Sequence, residues 1–450
     1  MTAKLVAIGD SLTQGFQHGS IRRPMDSYPA MVAGVLGAPA FRQGDFFANG
    51  NGGPVLDIER LCHTLSDHYG SRVPWYRVLG ALIRTRSFMG KVEDYWERGQ
   101  GTKASPTGPL HHNLAVWGFE VLDALTLTDA LCAAHTPDAT NDFIAQIVEF
   151  GMYRTARRVL NPSTSASYEG LSQLGCASEI ARREGGIENL LVALGANNAL
   201  PTCVHLKVHP SDPADLSRLP HERKCTVWRP ADFRPVYDRI EALVQAVRPE
   251  RVFLATVPHV TIAPVTRGVS PSSPGSPLVG KYYEYYTRFW IWDRDFRPGE
   301  DPALTRGEAR HVDGIVDEYN HHIRTVAGRN GWVVIDFAKM LDELAFRRHG
   351  GMPSYAFPVG LVAALRENPL TSFRVRPDGT VLLDTRFFRV PLAPPLDEND
   401  TGKWQTAYKG GLFGLDGVHP TTIGYGLMAE FVLRTMQCAG VPGADGNNLD

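Results

Sequence analysis

Cysteine is sparse and unpatterned in this chain. Six residues in 450, at positions 62, 132, 176, 203, 225 and 438, form no C-x-x-C pair. That spacing excludes a disulfide framework of the kind that holds small secreted domains together, and free thiols are expected. Long hydrophobic runs are lacking as well: no uninterrupted apolar stretch approaches the ~18 residues of a membrane span. The opening "MTAKLVAIGD" has no extended apolar segment followed by a small-residue cleavage site. It reads as a strand leading into a motif rather than as a secretory signal, so a soluble, cytoplasmic protein is expected. Charge of one sign does not accumulate either. Forty-six Lys and Arg face 48 Asp and Glu, for a formal net charge of −2. With no polyelectrolyte block, nucleic acid is a poor partner.

Two active-site signatures are also missing. There is no G-x-S-x-G, which excludes the nucleophile elbow of the α/β-hydrolases. "GSPLVGKY" (275–282) has the glycines and lysine of a phosphate loop. Tyr282, however, stands where Mg²⁺ needs a Ser or Thr, and no apolar strand precedes the stretch. The paired histidines 111–112 and 321–322 lack acidic or cysteine partners at ligand spacing. Neither metal nor cofactor is expected.

What is present is ordinary globular material, 43% hydrophobic and 21% charged, enough for a large core. Continuous apolar segments flanked by turns predict buried parallel strands at 4–9, 112–118, 187–195, 251–258 and 331–338. Helical patterns lie between them at 27–37, 119–134, 231–247 and 307–331. A last helix begins near Pro420, with Ile423, Leu427 and Phe431 in one stripe. Strands alternating with helices argue for a doubly wound α/β sheet. Three long insertions interrupt it, at about 40–109, 260–306 and 346–410. The last contains a hairpin over 373–388 with Asp378-Gly379 at its turn. The tail, 441–450, reads as flexible.

The chemistry begins at "LVAIGDSLTQG" (5–15). Ser11 lies at the carboxyl end of the first strand, the edge where open α/β sheets bind ligands. A serine there either attacks a substrate or caps the next helix. "GLDGVHPTTIGY" (414–425) places Asp416 three residues before His419, so that the carboxylate could hold one imidazole nitrogen while the other faces a serine. Gly118, ending "NLAVWG", offers an unobstructed backbone N–H. Asn197, in "LGANNA", offers a side-chain donor; both could serve an oxyanion. Each fragment alone has a bland reading as a cap, a surface pair or a turn. Together and in this order they resemble the SGNH (GDSL) hydrolases, a superfamily of esterases and lipases: GDS, N-x-x-x-x-G, G-x-N and D-x-x-H-P.

The resemblance implies a flavodoxin-like three-layer α/β/α sandwich with a parallel five-stranded sheet. It implies Ser11 as nucleophile and oxyanion donor, Gly118 and Asn197 as further donors, His419 as base and Asp416 as its orienter. The family's G-x-N-D is here G-x-N-N, with Asn198 in place of the aspartate. Length alone suggests about three domains, but a site built from residues 11 and 419 requires one catalytic domain over 1–440. The expected activity is metal-independent ester hydrolysis on a small-molecule ester. Acyl transfer from the same site and a catalytically inactive binding protein are the alternatives. The aromatic run "KYYEYYTRFWIWDRDF" (281–296) is expected to wall the entrance, with Trp290 and Trp292 meeting the substrate. Neither the ester nor the oligomeric state can be read from the sequence.

Overall fold

The computed structural model describes residues 2–21, 23–38, 40–46, 52–70, 73–103, 108–137, 147–272, 281–291, 293–345, 348, 355–369, 371–383 and 412–444. Nine strands occur among them. These are β1 (Val6–Gly9), β2 (Phe16–Gln17), β3 (Ser20–Ile21), β4 (Asn189–Ala193), β5 (Arg251–Ala255), β6 (Thr266–Val269), β7 (Tyr285–Arg288), β8 (Ala303–Thr305) and β9 (Val333–Ile335). The fold is mixed α/β, centred on a four-stranded parallel sheet in the order β1-β4-β5-β9.

Successive strand residues point to opposite faces, and both faces are covered. Val6, Ile8, Leu190, Val192, Val252 and Leu254 pack into one core with the helices Gln173–Glu184, Pro230–Val247 and Arg306–Asn330. Leu5, Ala7, Leu191, Phe253 and Ala255 pack into another with the helices Tyr28–Val35, Phe337–Leu344 and Thr422–Cys438. Burial on both sides is why these strands read as unbroken apolar runs rather than alternating ones.

The fifth expected strand, 112–118, is not one. It runs beside β1, with a single parallel bridge between Ala7 and Asn113. Its backbone bonds to β1 are Ala7 N–H to His112 O, Leu114 N–H to Ala7 O and Val116 N–H to Gly9 O. Side chains then take over backbone partners. Asn113 donates to Thr13 O and accepts from the Ala115 N–H. Gln173 donates to the Gly9 and Leu114 carbonyls. Polar side chains saturating the main chain in this way end a regular ladder.

The helix expected over 119–134 is broken into Asp123–Thr126 and Asp129–Ala134. Asp123 is drawn into a buried ion pair with Arg223, and Thr128 caps the second piece. The long helix Arg306–Asn330 starts in a capping box, Thr305 with Glu308. Thr421 caps the last helix, which leaves Pro420 just outside it.

The described parts of the insertions carry regular elements. The first folds into the helices Ile58–Tyr69 and Val78–Glu97. The second forms the antiparallel sheet β6-β7-β8. The third carries the helix Val359–Glu367 and a turn at Asp378-Gly379, closed by Arg376 N–H to Thr380 O. Residues 384–388 of the expected hairpin lie outside the described residues. In the tail, Val441 and Ala444 are buried in the second core, and 445–450 lie outside the described residues. No described helix is long and apolar enough to cross a membrane, and no disulfide joins the described cysteines.

Candidate active site

β1 ends at Gly9 because nothing larger fits. A Cβ there would lie 2.2 Å from Thr13 Oγ1 and 2.9 Å from the Ala193 carbonyl. This close approach lets the one-turn helix Ser11–Gln14 start directly at the sheet edge. Its cap is Asp10, whose carboxyl accepts the Leu12 N–H at 3.1 Å. Capping therefore falls to Asp10, and the Ser11 hydroxyl is left for another partner.

That partner is His419. Its Nε2 lies 2.9 Å from Ser11 Oγ, across 408 positions of sequence. Its Nδ1 lies 3.1 Å from Asp416 Oδ2. The other carboxylate oxygen, Oδ1, accepts the N–H groups of Val418 and His419, each at 2.9 Å, while Oδ2 also takes the Gly19 N–H at 2.8 Å. Burial alone would raise the Asp416 pKa. The opposing pull of His419 and of these donors outweighs burial and holds it down to about 2. Asp416 is thus an anchored carboxylate, able to fix one imidazole tautomer. The His419 ring rests on Phe16, 4.5 Å between centroids.

Asp10 behaves oppositely. It is fully enclosed, and burial pushes its pKa up to about 7, against the Leu12 N–H and the charge of His419. It is a buried carboxyl one residue from the nucleophile candidate.

The donor candidates sit on two neighbouring loops. Gly118 has φ +80°, a left-handed conformation natural to glycine. Its loop is tied to the Ser11 helix by Trp117 N–H to Gln14 Oε1 at 2.8 Å. Asn197 donates one amide N–H to the Phe119 carbonyl at 3.0 Å, which joins the two loops and leaves a second N–H. Among the described residues, no hydrogen bond engages the backbone N–H of Ser11 or of Gly118. Asn198 points elsewhere: it is buried, and its side-chain oxygen accepts the Val121 N–H.

No family model, curated protein or solved structure matches this chain. The site must be read from its own geometry.

Ser11, Asn197 and His419 open onto a cleft of about 100 Å³. Its walls are almost wholly apolar, with Leu344, Met340, Phe413 and Met428 prominent. Such a wall suits a hydrocarbon group. Trp290 is not among the lining residues. It is 48% exposed and packs edge-on against Phe289 and near Arg288. Trp292 lies outside the described residues. The second insertion reaches the cleft instead through its first turn, Val260 and Ala263. Tyr285 and Tyr286 of the aromatic run lie in β7, the central strand of the small sheet.

Among the described residues, no group of three or more His, Cys, Asp or Glu could hold a metal ion. His112 bonds Glu184, and His322 bonds Asp238. Three contributors carry no sequence signal of their own: Gln173, the Gly19 N–H and Phe16. Gln173 lies in an ordinary amphipathic helix, and its reach to Gly9 exists only in three dimensions.

Proposed function

We propose that this protein is a serine ester hydrolase of the SGNH type, on a flavodoxin-like α/β/α sandwich. One observation carries the reading: Ser11 Oγ, both ring nitrogens of His419 and Asp416 form one continuous chain of hydrogen bonds. A serine hydroxyl becomes a competent nucleophile when a neighbouring base takes its proton. His419 Nε2 is that base as Ser11 attacks the ester carbonyl. Asp416, kept ionised, stabilises the imidazolium that forms. Negative charge collects on the carbonyl oxygen, and the Ser11 N–H, the Gly118 N–H and the remaining Asn197 N–H receive it. His419 then protonates the departing alkoxide. Water attacks the acyl-serine, and the same base accepts its proton. The apolar cleft holds the acyl chain.

Labelling with a fluorophosphonate tests this. Wild-type protein is expected to take up one probe on Ser11, and a folded Ser11→Ala protein none. Equal labelling of the two would sink the assignment, and a wild type that resists the probe would point to an inactive relative. Product partition between water and added alcohols separates hydrolysis from acyl transfer.

A further inference from the structure

The first insertion carries a surface that the catalytic reading leaves unused. Trp75 is 87% exposed and Leu79 71%. Tyr76, Leu82 and Ile83 are each more than half exposed, and Val78 nearly so. Leu79, Leu82 and Ile83 recur at i, i+3 and i+4 on the helix Val78–Glu97 and form one stripe. The far end of that helix is anchored: Val92, Tyr95 and Trp96 are buried. Scattered exposed apolar residues are ordinary, but a contiguous set led by Trp and Tyr marks an interaction face.

Charge identifies the partner. The stretch 73–92 contains Arg77, Arg84, Arg86 and Lys91 and no carboxylate; the helix's own carboxylates, Glu93, Asp94 and Glu97, lie at its anchored end, where Glu93 and Glu97 are buried and Arg98 pairs with Glu93 and Asp94. A basic, apolar stretch with Trp and Tyr beside its stripe is the composition that lies in an anionic lipid interface. Its rings and aliphatic groups enter the headgroup boundary while its cations meet lipid phosphates.

The face is also coupled to the site. The turn between β2 and β3 gives the Gly19 N–H to Asp416. The same turn receives the Ile58 N–H on the His18 carbonyl, at the foot of the helix Ile58–Tyr69 that pairs with Val78–Glu97. The helical hairpin therefore stands on the loop that holds the candidate triad carboxylate.

We propose that this hairpin docks the protein on an anionic phospholipid surface and that the surface supplies an apolar ester to Ser11. The second clause rests on the hydrolase reading; the docking does not. Cosedimentation of the full chain with vesicles tests it. Vesicles of equal parts phosphatidylcholine and phosphatidylglycerol are expected to carry the protein down, and pure phosphatidylcholine vesicles far less. Ser11→Ala protein should sediment like wild type, which keeps failure of docking distinct from failure of catalysis. The triple variant Leu79→Ser, Leu82→Ser, Ile83→Ser changes only exposed positions and is expected to lose binding. Arg77→Gln, Arg84→Gln, Lys91→Gln should weaken it roughly a hundredfold at low salt, at about 1 kcal/mol per cation. If vesicles of neither composition bind, or if the triple serine variant binds as wild type does, the proposal is overturned. It is equally overturned if the wild type is a dimer that the serine variant dissociates, because the face is then covered by a second copy.

Discussion

Two adjacent asparagines and one buried aspartate show how far single residues are specialised here. Asn197 faces the cleft and Asn198 faces the protein interior. Asn197→Ala is expected to lower kcat by ~10²–10³ with little change in KM, because its bond strengthens as charge develops. A pure KM effect would make it a ground-state contact. Asn198→Ala should instead cost stability, seen as a lower denaturation midpoint with kcat nearly intact, since it frees the buried Val121 N–H. Asp10 makes a different prediction, in pH. Its folded pKa is raised to about 7 from an ordinary value of 3.8. Between those values the native state holds a proton that the unfolded chain releases, so this group's contribution to stability falls as pH rises from about 4 to 7. Asp10→Asn keeps an oxygen to accept the Leu12 N–H and removes the titration. Thermal unfolding across that range should therefore show a flatter pH dependence in the variant; identical profiles would refute the buried, protonated carboxyl.

At the scale of elements, the four parallel strands are legible in the sequence because burial on both faces writes itself as continuous Val, Ile, Leu and Phe. The segment 112–118 has the same appearance and still fails to become a strand. Only one bridge forms, between Ala7 and Asn113, and the Leu114 carbonyl is taken by the side chain of Gln173 rather than by β1. Gln173 is 164 positions from Gly9, so no local pattern could reveal it. The site is legible for a related reason in reverse. Ser11, Asn197 and the Asp416–His419 pair lie in short motifs at element ends, where the local sequence itself specifies a turn or a cap. Gln173 ties the end of β1 to the segment leading to Gly118 by donating to both the Gly9 and Leu114 carbonyls. Gln173→Leu removes both donors from a buried position. The expected cost is about 1–3 kcal/mol in denaturant unfolding, together with a fall in kcat as the Gly118 loop loses its register. Loss of stability with unchanged kcat would confine Gln173 to packing.

For the whole molecule, the apolar cleft belongs to no single stretch. Leu12 follows β1, Ala196 and Asn197 follow β4, Val260 and Ala263 begin the second insertion, Leu344 ends a helix after β9, and Met428 sits on the last helix. The cleft is built from scattered apolar side chains, Phe337 and Phe413 among them, that are each unremarkable where they stand and that the parallel topology brings to one sheet edge. The enclosed space, about 100 Å³, is smaller than the ~150 Å³ that accommodates a benzene ring. It therefore suits a short aliphatic chain with any further length running toward the open side. Against a series of p-nitrophenyl esters, the wild type should prefer butyrate or hexanoate to acetate, each buried methylene contributing ~1–3 kcal/mol to the discrimination. Leu344→Trp fills the cleft from its apolar wall and leaves Ser11, Asp416 and His419 in place. It is expected to lower kcat/KM for hexanoate steeply while leaving acetate within a few-fold, reversing the preference. Trp290→Ala, outside the cleft, should leave the profile unchanged. Should Trp290→Ala reshape the chain-length profile and Leu344→Trp leave it alone, the acyl group lies along the aromatic insertion and not in this cleft.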